Sequence, residues 1–104
     1  MWARVARYEV EPEQLDAAVE GFENAAKALA ELRGTRGGFL LLDRQDGAAL
    51  TVTLWESYDL MCASEVAAAG LRRQAMEHAQ GTVAAVHLYE VAAEFGNGDG
   101  AGSG

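Results

Sequence analysis

Between Leu50 and Tyr58 the chain reads Leu-Thr-Val-Thr-Leu-Trp-Glu-Ser-Tyr, and no other stretch restricts the fold as strongly. Leu50, Val52 and Leu54 alternate with Thr51, Thr53 and Trp55, the period of a strand whose two faces differ in chemistry. Ser57 then stands where a helix N-cap belongs. Asp59 follows in the first turn, where a carboxylate favours the unpaired N–H groups. The strand therefore runs directly into a helix. Upstream, Asp46-Gly47 suits a two-residue type I′ turn and makes Phe39 to Arg44 the antiparallel partner. That turn places Phe39 by Leu54, Leu41 by Val52 and Asp43 by Leu50 on a dry face. The other face carries Leu40 by Thr53, Leu42 by Thr51, and Gly38 beside the Trp55 indole. This second face is a candidate pocket wall, although Trp55 equally suits plain core and the threonines are good strand formers.

Earlier in the chain, Trp2 to Val10 alternates as a strand, with Trp2, Ala6, Tyr8 and Val10 on one side and Arg4 interrupting that side. Pro12 fits a first helical position. Leu15, Ala18, Phe22, Ala25, Leu29 and Leu32 then recur at helical spacing until Gly34 offers a left-handed C-cap. Gly34 to Gly38 reads as a flexible link; it lacks the Lys-Ser/Thr pair and the following helix of a phosphate loop. A second helix is expected over 58–79, with Leu60, Ala63, Ala67, Leu71 and Ala75 on one face. A last strand follows from Thr82 to Ala92, with His87 and Tyr89 on one side and Val86 and Leu88 on the other. Residues 1–93 form the domain, and 94–104 a Gly-rich tail expected to be disordered.

Formal charge is −8, from 8 Lys and Arg against 16 Asp and Glu. This disfavours nucleic acid, whose backbone is bound by neutralising phosphates, and anionic membranes alike. No apolar run approaches the roughly 20 residues of a membrane span. The N-terminal strand pattern lacks the apolar core of a secretory signal, so a cytoplasmic protein is expected. Cys62 has no partner for a disulfide and is read as a small buried group. Two separated histidines offer no metal-ligand spacing.

The order strand, helix, strand, strand, helix, strand is the ferredoxin-like βαββαβ arrangement: an α+β fold with a four-stranded antiparallel sheet and two helices on one face. The hairpin and last strand are apolar on both faces. A second copy is the economical cover for the face the helices leave bare, so a homodimer is expected.

Three segments carry a resemblance to a known family: Gly37-Gly38-Phe39-Leu40-Leu41-Leu42-Asp43, Thr51-Val52-Thr53-Leu54-Trp55-Glu56-Ser57 and Val86-His87-Leu88-Tyr89-Glu90-Val91. In order and spacing over residues 1–92 the chain resembles the antibiotic biosynthesis monooxygenase group of dimeric α+β barrel proteins. The resemblance implies a small-molecule pocket between sheet and helices and, in active members, oxygenation of a hydrophobic phenolic or anthrone-like aromatic without metal or flavin. On that basis Trp55 and Thr51 are the candidate catalytic residues, with His87 as base and Tyr89 as hydrogen-bond donor. Leu40, Leu42, Thr53 and Arg72 are candidate substrate contacts, together with His78 as a rival base. An amide side chain expected near Thr51 in anthrone-oxidising members is absent. A second branch degrades haem with an Asn, a Trp and a His, whose positions here hold Ala6, Ser64 and Gln74. The alternative to an enzyme is a non-catalytic dimeric module of the same fold that binds a small hydrophobic molecule or a partner.

Overall fold

A computed structural model describes residues 1–96; the expected disorder of the tail falls mostly on 97–104, outside the described residues. Four strands, β1 (Trp2–Glu9), β2 (Thr35–Asp43), β3 (Ala48–Trp55) and β4 (Thr82–Glu90), form one antiparallel sheet in the order β2-β3-β1-β4. The helices α1 (Leu15–Leu29), α2 (Tyr58–Ala63) and α3 (Glu65–Ala79) lie on one side of it, and a single 3-10 turn, Pro12–Gln14, leads into α1. This is the ferredoxin-like arrangement the residue periodicities predict.

The core lies between sheet and helices. Ala6, Tyr8 and Ala49 from the strands, with Val10 just past β1, meet Leu15, Ala18, Ala75, Met76 and Ala79 from α1 and α3. Small residues let the helices approach closely: a Cβ on Gly21 of α1 would sit 3.0 Å from the Ala75 carbonyl oxygen. The sheet's other face is bare. Phe39 (62% exposed), Leu41 and Tyr89 stand on it, so the face expected to be dry is the uncovered one in a single chain.

Several local expectations change. The hairpin pairs Phe39 with Val52, Leu40 with Thr51, Leu42 with Ala49 and Asp43 with Ala48, a slip of two residues from the two-residue-turn register. Asp43 Oδ1 accepts from the backbone N–H of Gln45 (3.1 Å) and Asp46 (3.2 Å), which lengthens the turn through Gly47 at φ +71°. An Asp side chain that captures amides in this way builds a wider loop than Asp-Gly alone suggests. Gly38 accordingly faces Thr53, not Trp55. The supposed link from Gly34 is mostly strand, with an irregularity between Thr35 and Gly38. The first helix stops at Leu29, where the Thr35 hydroxyl donates to the Leu29 carbonyl at 2.9 Å.

The expected long second helix breaks at Ser64. Ser57 caps α2 by accepting from the Leu60 N–H, as its sequence position indicates. The Met61 carbonyl, however, accepts from Arg4 Nη2 at 2.6 Å and from Ser64 Oγ at 2.7 Å. Arg4 thus captures a carbonyl that a continuous helix would use internally. The break rotates the buried stripe: Met61, Ser64, Ala68 and Ala75 face inward, while Ala63 and Ala67 are exposed. Cys62 is also exposed, not buried.

Candidate functional site

An enclosed space lies beneath α1 and α3 against the middle of the sheet. Its apolar wall includes Phe22, Leu29, Leu40, Leu71 and Met76, and its polar end is made by Arg4, Tyr8, Thr51, Thr53 and Arg72. The strand period explains the placement. Arg4 and Thr53 are directly paired, as are Ala6 and Thr51, so their side chains share the helix-facing side of β1 and β3. The irregular void measures about 460 Å³ including its mouth, of which about 20 Å³ admits the centre of a water molecule. The smaller figure limits what enters the resting shape to a water or two. A shallower cleft beside Gly37 and Gly38 shares Phe22, Leu29 and Thr53 with it and admits the centre of a water molecule over about 160 Å³, against about 20 Å³ in the cavity.

The polar end is tightly organised. Tyr8 Oη and Thr51 Oγ1 are 2.9 Å apart and form a buried hydroxyl pair. Burial pushes the Tyr8 phenol above its ordinary value, against smaller opposing effects of the Thr51 hydrogen bond and the two arginines. It therefore keeps its proton at neutral pH. Arg4 is 3% exposed. Its guanidinium lies 5.1 Å from the Trp55 ring centroid and donates to Met61 and Ser64. Burial lowers its pKa, an effect that Glu65 opposes. Arg4 Nε lies 3.1 Å from Glu65 Oε1, yet their alignment makes no hydrogen bond. Glu65 Oε2 meets Arg72 Nη2 at 2.6 Å.

Thr51, Thr53, Leu40 and Arg72 thus come together at the cavity, and five other candidates do not. Trp55 is fully buried and outside the lining; its indole N–H donates to Thr53 Oγ1 at 2.9 Å, and its ring supports Arg4. Plain core packing describes it better than a group facing substrate. His87 and Tyr89 pair with Val5 and Ala3, which places them on the bare face of the sheet. His78 Nε2 pairs with Glu20 Oε1 at 2.6 Å on the outer surface between α3 and α1. Leu42 packs against the core cluster beside the cavity, not in its lining. Residue reading missed Arg4, Tyr8 and Glu65. The interrupted apolar side of the first strand was the one signal for Arg4: a charge at an inward position demands a partner.

No family model matches the chain, and no curated protein does. Solved structures do match in fold. A cofactor-independent oxygenase of Streptomyces nogalater, SnoaB, superposes with a TM-score of 0.70 at 19% identity over 90% of this chain and 95% of that one. The heme-degrader MhuD of Mycobacterium tuberculosis gives 0.72 at 22% identity over 92% and 100%. A Deinococcus radiodurans protein provisionally assigned as an antibiotic biosynthesis monooxygenase gives 0.71 at 18% identity over 90% and 95%. At these identities the likeness is one of fold.

Proposed function

We propose that this protein is a cofactor-independent monooxygenase that oxidises a phenolic or anthrone-like aromatic with dioxygen in the cavity between sheet and helices. The observation that carries the reading is the buried Tyr8–Thr51 hydroxyl pair, set with Arg4, Thr53 and Arg72 at one end of a cavity whose other walls are apolar. The fold shared with SnoaB supports it. In such a reaction a ring methylene loses a proton, and the resulting enolate passes electrons to O2. The peroxide formed at that carbon then loses water to leave a carbonyl. Overall, CH2 and O2 become C=O and H2O, with the substrate supplying all the electrons. One hydroxyl of the pair spends its proton on the other, and the second donates to the enolate oxygen, an interaction that strengthens as negative charge develops there. Among the described residues no carboxylate or imidazole lines the cavity, so the proton leaves to water. The neighbouring guanidiniums favour the anion that remains.

Haem does not fit this site. The lining holds no His or Cys. Ala6 is a buried methyl group, Ser64 is engaged with Arg4 and Met61, and Gln74 is exposed. The Met76 sulfur packs 3.0 Å from the position of a Cβ on Gly81.

The second reading, a non-catalytic binding module, is favoured by the sealing of Trp55 in the core and the narrowness of the resting cavity. Oxygen uptake by chelator-treated protein with 1,8-dihydroxyanthrone separates the two. The enzyme consumes one O2 per substrate above the spontaneous rate, and Tyr8→Phe lowers kcat by at least about tenfold. Binding without added uptake supports the module.

A further inference from the structure

Two guanidiniums at the cavity's polar end share one carboxylate, Glu65, which lies behind them outside the lining, and the arrangement is electrostatically incomplete. Glu65 spreads its oxygens over both partners, Oε1 toward Arg4 and Oε2 toward Arg72, so neither arginine receives a two-point carboxylate contact. Arg4 cannot leave. It is almost fully buried, stacked on Trp55 and bonded to the Met61 carbonyl, and its Nε has no hydrogen-bond partner. Glu65 is the opposite case: its side chain is 45% exposed, on the first turn of α3, and reaches water at little cost. Arg72, 11% exposed, lines the cavity itself.

We infer that the cavity's ligand carries a permanent carboxylate on its aromatic body, held by Arg4 and Arg72 in place of Glu65. The inference rests on the cavity being the small-molecule site and adds the substrate class: an aromatic acid, not a neutral polycycle. Exchange of Glu65 for the ligand's carboxylate leaves the charge balance between two guanidiniums and one carboxylate unchanged while Glu65 regains water. The Tyr8–Thr51 pair remains free for the reacting oxygen, so the two polar functions of the ligand have separate partners. Glu65 acts as a resident counter-ion that keeps Arg4 neutralised until an acidic ligand arrives. It also sets specificity, because a neutral ligand offers nothing in exchange.

The test compares 2-naphthoate with 2-naphthalenemethanol by isothermal titration of the full chain at neutral pH. The carboxylate is expected to bind about tenfold more tightly, as one additional charge-assisted contact gives. Arg72→Gln removes that preference, read as the ratio of the two affinities within the variant. Glu65→Gln, at a half-exposed position, strengthens naphthoate binding and keeps the test available if Arg72→Gln does not fold. Equal affinities in the unmodified protein, a preference that survives Arg72→Gln, or weaker naphthoate binding in Glu65→Gln overturns the inference while the alcohol still reports a working cavity. Failure of both naphthalenes to bind overturns the cavity reading as well.

Discussion

Tyr8 joins folding energetics to the proposed chemistry in one side chain. Its phenol is held above its ordinary value of 10.0 chiefly by burial. The folded chain therefore binds that proton more tightly than the unfolded chain does. The associated stability is intact below the unfolded value and is lost as pH rises through the raised folded one. The denaturant midpoint should be level from about pH 7 to about pH 9 and fall above about pH 10. The fall should be smaller in Tyr8→Phe, which at neutral pH loses about 1 kcal/mol with the Thr51 hydrogen bond. An identical alkaline loss in both proteins would contradict this role. Sequence alternation put Thr51 and Thr53 on one face with Leu40 and Leu42, because a strand leaves a side chain only two directions, and the strand pairing keeps them together there. It could not find the Arg4 site. The Arg4 partners Met61 and Ser64 are 57 and 60 residues away, and a charge at an inward strand position shows only as a broken pattern until those partners are known.

At the scale of elements, the hairpin shows why some errors are harmless. The expected register was wrong by two residues, an even slip, so every side chain kept its face. Asp43 caused the slip by folding its carboxylate over the turn amides, a local hydrogen bond that hydrophobic periodicity does not register. The α2–α3 break had the opposite effect. It moved the buried stripe from Ala63 and Ala67 to Ser64 and Ala68 and brought Glu65 to the arginines, so an accurate site depended on it. Periodicity alone favoured one helix, since the competing interaction comes from β1. For His87 and Tyr89 the strand pattern correctly put both on one face. Which face the helices cover is a property of strand order and crossover direction, and the last strand's two apolar sides left it open.

The whole molecule leaves Phe39, Leu41 and Tyr89 exposed on a face that also carries Val52 and Leu54. Burying such a face against a second copy is the association we propose, since apolar area removed from water contributes about 25 cal/mol per Å². Sedimentation should report a dimer, and Phe39→Asp should shift it toward monomer with the helical circular dichroism retained; a monomer at micromolar concentration in the unmodified chain would contradict the proposal. Among the described residues no helix is long and apolar enough to cross a membrane. The other side of the sheet holds the cavity, and amide chemical-shift mapping reports which side takes a ligand. With 1,8-dihydroxyanthrone added under argon, so that nothing turns over, shifts should concentrate at Thr51, Thr53, Phe22 and Arg72. Shifts centred instead on Phe39, His87 and Tyr89, with the helix-facing residues undisturbed, would contradict the cavity reading.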